Sequence, residues 1–160
     1  MSVPDACRSQ SLSACRRLPG HSERTPGEAR AYVGVTLADW GVAEAVRADL
    51  QLIVSELATN ALAYTRSPEI VVSICLGAGT ASVGVEDCGP HRRLTPQCPG
   101  SEAERGRGLL IVKELASRWE QSRADNGGTT VRAEIDLPTH QRLSTGHTIK
   151  EAPDAARPHP

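Results

Sequence analysis

Between residues 43 and 65 the apolar positions fall at Leu50, Ile53, Val54, Leu57 and Ala61. That i, i+3, i+4, i+7, i+11 recurrence predicts an amphipathic helix over Ala43–Thr65, with Pro68 just past its end. Upstream, Glu28–Trp40 also has a helical period. There Ala31, Val35 and Ala38 are expected to share one stripe, with Leu37 beside it and Gly41 as the stop. Gln10–Leu18 reads as a short strand and Pro19–Pro26 as a polar loop. After residue 68 the period shortens. Glu69–Leu76 (EIVVSICL) is rich in β-branched residues, Gly77–Thr80 reads as a hairpin turn, and Ala81–Asp87 alternates with Ala81, Val83 and Val85 on one face. These two runs are expected to pair antiparallel.

Cys88–Gly108 has no period, holds Pro90, Pro96 and Pro99, and carries many charges. A loop of that length inside a compact domain is uncommon and often functional. Leu109–Trp119 is predicted as a third helix with Leu109, Val112, Ala116 and Trp119 along one side, and Arg118–Arg123 as a further strand. Asn126-Gly127-Gly128 forms a turn. Thr129–Leu137 then alternates with Val131, Ala133, Ile135 and Leu137 inward, and Pro138 stops it. Helices and antiparallel strands in separate runs predict an α+β class: a two-layer sandwich with a mixed, mostly antiparallel sheet and helices on one face. One domain is expected over residues 11–138, between a flexible N-terminus (1–10) and a disordered, proline-containing C-terminal tail (139–160).

The chain has 160 residues and a formal net charge of −1, which gives no bulk attraction to nucleic acid or to an acidic membrane. Five cysteines without a CxxC fit neither a zinc ribbon nor a disulfide framework, and a reduced, cytosolic compartment is expected. Cys88 and Cys98 flank His91, but three scattered ligands without a fourth make a poor metal site. Cys75 is expected as a small core hydrophobe. The longest charge-free run, residues 70–85, is interrupted by its turn and too short to span a bilayer. With no apolar leader at the N-terminus, the expectation is a cytoplasmic protein with no membrane contact.

The candidate chemistry begins with Glu56 and Asn60 on the second helix. Four residues apart, they sit one above the other, roughly 6 Å between Cβ atoms. Mg²⁺ takes hard oxygen ligands and keeps several waters, so Asn60 could supply one oxygen beside substrate phosphates. Glu56 could act as a general base. The same pair also reads as two polar residues on the solvent side of an ordinary helix. Asp87 ends an alternating strand, and Gly89 would permit close ligand approach; Asp-x-Gly is also ordinary turn chemistry. Gly106 and Gly108 open the third helix, where backbone N–H groups form an anion site and Arg105 and Arg107 add positive charge. This is neither a Walker A loop nor the dinucleotide fingerprint. Thr129 and Thr130 could each bond a base or a phosphate, or simply favour a strand.

In their order and spacing these pieces resemble the GHKL ATPase superfamily, the Bergerat-fold group of gyrase and histidine-kinase ATPases, and in particular the small bacterial anti-sigma-factor serine/threonine kinases. ELATNA (56–61) is similar to the N box, VEDCG (85–89) to the first glycine box, RGRGLLIV (105–112) to the second, and GGTTV (127–131) to the last Gly-Thr element. The resemblance covers about Leu12 to Pro138 and implies a histidine-kinase-like ATP-binding domain. It implies that Asn60 holds Mg²⁺ on the ATP phosphates, that Glu56 is the catalytic base, and that Asp87 bonds the adenine amino group. Gly89 would shape the adenine pocket. Gly106 and Gly108 would line the phosphates, Thr129 would support the Asp87 end, and Arg105, Leu109 and Thr130 would also belong to the ATP site. Cys88–Arg105 would be the ATP lid. In that branch ATP phosphorylates a serine or threonine of an antagonist protein, and the same domain sequesters a sigma factor as a homodimer. The chain departs from the pattern at Tyr64, where many small relatives have His, and at Pro90 and His91, where the second glycine of the first box is missing. No phosphoacceptor-histidine helix pair is present. The alternative to a kinase is a non-catalytic module of the same fold that sequesters a sigma factor or another regulator.

Overall fold

The computed structural model describes residues 11–90 and 107–138. Eight elements follow one another: β1 (Leu12–Pro19), α1 (Thr25–Asp39), α2 (Glu44–Tyr64), β2 (Glu69–Leu76), β3 (Thr80–Glu86), α3 (Arg107–Leu115), β4 (Arg118–Arg123) and β5 (Thr129–Asp136). The strands form one sheet in the order β1-β2-β3-β5-β4, and each of the four pairings is antiparallel. The α+β two-layer sandwich expected from the sequence is therefore the observed architecture, with a fully antiparallel sheet in place of a mixed one.

Residue alternation decides which face of the sheet meets the helices. Ile70, Val72, Ile74 and Leu76 of β2, Ala81, Val83 and Val85 of β3, and Val131, Ala133 and Ile135 of β5 are all buried. The registers Val72↔Val85, Ile74↔Val83, Val85↔Val131 and Val83↔Ala133 line them up across the sheet. Against this face lies α2, with Leu50, Ile53, Val54, Leu57 and Ala61 inward as its periodicity predicts. The helices α1 and α3 both pack against α2. Burying a side chain the size of Leu50 contributes about 1.5–3 kcal/mol relative to leaving it in water.

Several expectations need correcting. In α1 the buried stripe is Ala29, Val33 and Leu37, continued by Thr25, whereas Ala31 and Ala38 are exposed and Val35 is 64% exposed. Apolar residues are scattered around this helix, so its period gives no unique inward face; packing on α2 and β1 selects one. The helix also starts at Thr25, inside the stretch expected to be loop. Pro26 fits the first turn because its missing N–H would be unpaired there anyway. The Thr25 hydroxyl donates to the Pro19 carbonyl at 2.6 Å, fixing the entry from β1. Gly41 does end the helix region, at φ 75°.

The third helix is shorter than expected. It ends at Leu115, and Trp119 sits in β4 opposite Ala133, half-buried against the core. Ser117 makes the corner: its N–H donates to the Glu134 carbonyl at 2.8 Å and its hydroxyl accepts the Asp136 N–H at 2.9 Å. Cys75 is not a core residue. It pairs with Ser13 and Ser82 on the polar face of the sheet and is only partly buried. That face also carries the exposed Arg118 fork to Glu134 and Asp136, which holds the guanidinium even more firmly protonated than usual. No helix among the described residues is long and apolar enough to cross a membrane.

Leu50→Ala is expected to lower unfolding free energy by about 2–5 kcal/mol in urea titration. Val35→Ser, on the exposed side of α1, is expected to stay within about 0.5 kcal/mol.

Candidate functional site

Three elements meet at one end of the sandwich: the C-terminal half of α2, the end of β3 and the start of β5. Between them lies a narrow, partly open cleft. Leu57, Ala61, Val85 and Val131 form apolar walls, Tyr64 closes one side, and Asn60, Thr65, Asp87 and Thr129 are the polar lining. A mostly apolar cleft with a few converging polar groups is the usual form of a small-molecule site.

Asn60 is 7% exposed, and its Nδ2 is buried with no hydrogen-bond partner among the described residues. A buried amide without a partner costs about 1–3 kcal/mol. The cost falls away when a ligand brings polar atoms into the cleft. The two ends of the amide are interchangeable by a flip, so Asn60 can present either its donor or its oxygen. An oxygen facing phosphates and water suits Mg²⁺, which needs only one protein ligand of this kind. The donor chemistry at Asn60 thus fits the ion.

Asp87 is also 7% exposed. The pairing Glu86↔Thr130 places it beside the start of β5, and its N–H donates to the Thr129 carbonyl at 3.0 Å. The carboxylate Oδ1 accepts the Gly89 N–H at 3.0 Å, so the turn after β3 aims the acid. The approach of the next chain segment needs a glycine. A Cβ on Gly128 would lie 1.8 Å from the Asp87 carbonyl oxygen. The Asn126–Gly128 turn is held by the Gly128 N–H on Asn126 Oδ1 at 2.9 Å. Thr129, 4% exposed, lines the cleft beside Asp87.

Glu56 lies one turn before Asn60, toward α3. A Cβ on Gly108 would come within 2.6 Å of Glu56 Oε2, so the first turn of α3 rests directly on this carboxylate. The acid, the amide and a helix N-terminus therefore follow one another along one side of α2.

Of the residues singled out in the sequence, Asn60, Asp87 and Thr129 line the cleft, Gly89 bonds to Asp87 at its edge, and Glu56 and Gly108 meet each other beside Asn60. Leu109, 4% exposed, sits in the first turn of α3 and packs inward instead of lining the cleft. Thr130 points to the opposite face of β5, where its hydroxyl donates to Glu86 Oε2 at 3.3 Å. Strand alternation makes this unavoidable once Thr129 faces inward. Arg105, Gly106, His91 and Cys98 lie outside the described residues. Sequence reasoning missed Thr65 and Ser67. Thr65 is the first extended residue after α2 and lines the cleft; the signal was a hydroxyl residue at the end of a motif-bearing helix.

The model of the histidine kinase-like ATPase domain family matches residues 19–135, well over half of the chain. No curated protein matches it. The chain belongs to the histidine kinase-like ATPase domain family, and hence to the GHKL superfamily that the four motifs resemble; the family implies ATP binding.

Two glycine substitutions separate backbone from side-chain constraint. Gly128→Ala drives a Cβ into the Asp87 main chain, and denaturant unfolding should show a loss on the order of 1–3 kcal/mol or more. Gly108→Ala meets only the tip of Glu56, and stability should change by less than about 1 kcal/mol because alanine is the better helix former.

Proposed function

We propose that this domain is an ATP-dependent regulatory kinase of the anti-sigma-factor type, transferring the γ-phosphoryl of ATP to a serine or threonine of an antagonist protein. The observation that carries the reading is the alignment on α2: the Glu56 carboxylate rests on the N-terminal turn of α3, one helical turn before Asn60, which faces the Asp87 cleft. An adenine in the cleft would lie between the apolar walls, with its amino group donating to the Asp87 carboxylate. The phosphates would then run along α2 toward Asn60 and Gly108, and thus toward Glu56.

Held through Asn60 and the phosphate oxygens, Mg²⁺ would supply neutralisation of the phosphate charge. In the transfer, the protein hydroxyl oxygen bonds to the γ-phosphorus while the bond from that phosphorus to the β,γ-bridging oxygen breaks. Glu56 accepts the hydroxyl proton, and ADP departs. Positioning and charge stabilisation supply most of the rate in such reactions. A general base adds typically ~10²–10⁴-fold. The proposed partners are a sigma factor and its antagonist, with a homodimer as the acting form.

Calorimetric titration of ATP with Mg²⁺ and transfer of labelled phosphoryl to the antagonist test the reading together. Asn60→Ala and Asp87→Asn are each expected to weaken ATP binding by about tenfold or more. Glu56→Gln should keep ATP binding and lower transfer by about 10²-fold or more. Transfer that survives Glu56→Gln would remove the assigned base. ATP binding with no transfer would leave the non-catalytic sequestering module.

A further inference from the structure

The turn that aims Asp87 is held from outside the cleft by a side chain that does not line it. Ser67 lies in the link between α2 and β2 and is 2% exposed. Its hydroxyl donates to the Glu69 carbonyl, accepts the Cys88 N–H at 3.0 Å, and touches Cys88 Sγ at 2.9 Å. The link itself is fixed to the end of β1, because the Gly20 N–H donates to the Pro68 carbonyl at 2.9 Å. Three successive amides are thus bonded to three different acceptors. The Asp87 N–H goes to Thr129, the Cys88 N–H to Ser67, and the Gly89 N–H to the Asp87 carboxylate.

The peptide plane between Asp87 and Cys88 sets the direction in which the Asp87 side chain leaves the backbone, since φ and ψ are the only soft backbone torsions. The bond from Ser67 fixes that plane on the side away from β5. The geometry points to Ser67 as a positioning residue for nucleobase recognition, acting through the Cys88 amide on the Asp87 carboxylate. This inference rests on the ATP reading above. In the ATP reading the phosphates lie at Asn60 and Gly108, and the Ser67 hydroxyl bonds to Glu69 and Cys88 and to neither of these. Ser67 therefore governs the choice of base and leaves the grip on phosphate alone.

The experiment compares ATP and GTP binding, each with Mg²⁺, in the wild type, Ser67→Ala and Ser67→Thr. Wild type should prefer ATP. Ser67→Ala should lose about tenfold in ATP affinity with little change for GTP, so the preference collapses. Ser67→Thr, which keeps the hydroxyl, should recover it. A parallel fall for both nucleotides with the ratio kept would make the role purely structural and overturn the inference, as would an unchanged Ser67→Ala. Failure of the wild type to bind ATP would overturn the ATP reading, and the inference with it. Amide hydrogen exchange in nucleotide-free wild type needs no variant to fold: the Cys88 amide should be protected to a degree close to that of Asp87, and rapid exchange at Cys88 would equally overturn the assignment.

Discussion

Where β3 ends and β5 begins, one antiparallel register determines what the cleft contains. Val85 faces Val131 across the core, Glu86 faces Thr130 on the outer side, and the next step brings the Asp87 N–H to the Thr129 carbonyl. A one-residue slip would move Thr129 to the solvent face and carry Thr130 inward. The slip is opposed by Val131, Ala133 and Ile135, which would all leave the core with it. The hydrophobic alternation of β5 thus holds the polar residue at its first position in place. The close approach at Gly128 extends the same constraint to the backbone of the Asp87 turn.

The helix α2 serves the core and the site with different stretches of one surface. Leu50, Ile53, Val54 and Leu57 anchor it to the sheet, while Glu56, Asn60 and Tyr64, spaced by four, run along the neighbouring stripe. Their position is rigid because the apolar stripe is rigid. Asn60 is the one residue of the three that is buried, and its Nδ2 has no partner within the described protein. Folding energy drawn from the apolar stripe holds this polar group ready for a ligand.

Legibility in the sequence followed local signal strength. The strand β2 was readable to its boundaries because Ile70, Val71, Val72 and Ile74 are β-branched and a glycine turn follows. The inward face of α2 was readable because its large apolar residues occupy one stripe. In α1 the apolar residues are dispersed around the helix, so packing on α2 and β1 chose the face, and Val35 fell outside. Trp119 looked helical because its spacing continued α3, but the pairing with Ala133 is a long-range contact that no local period reports. Of the motif residues, Asn60, Asp87 and Thr129 line the cleft, and Glu56 lies beside it against Gly108. Alternation could have separated Thr129 from Thr130. Ser67 was invisible because its hydrogen bonds reach across the fold to Cys88.

The neighbours β3 and β5 are not consecutive in the chain: α3 and β4 lie between them. During synthesis, α2, β2 and β3 leave the ribosome well before the strand that completes the cleft. Until residues 129–137 arrive, Asp87 has no Thr129 carbonyl to bond and Val85 has no partner on its far side. The centre of the sheet is therefore an open edge for part of the chain's birth, the kind of edge that pairs with foreign strands. The strand that covers this edge is also the one that completes the cleft, so the domain closes the sheet and forms the cleft in a single step.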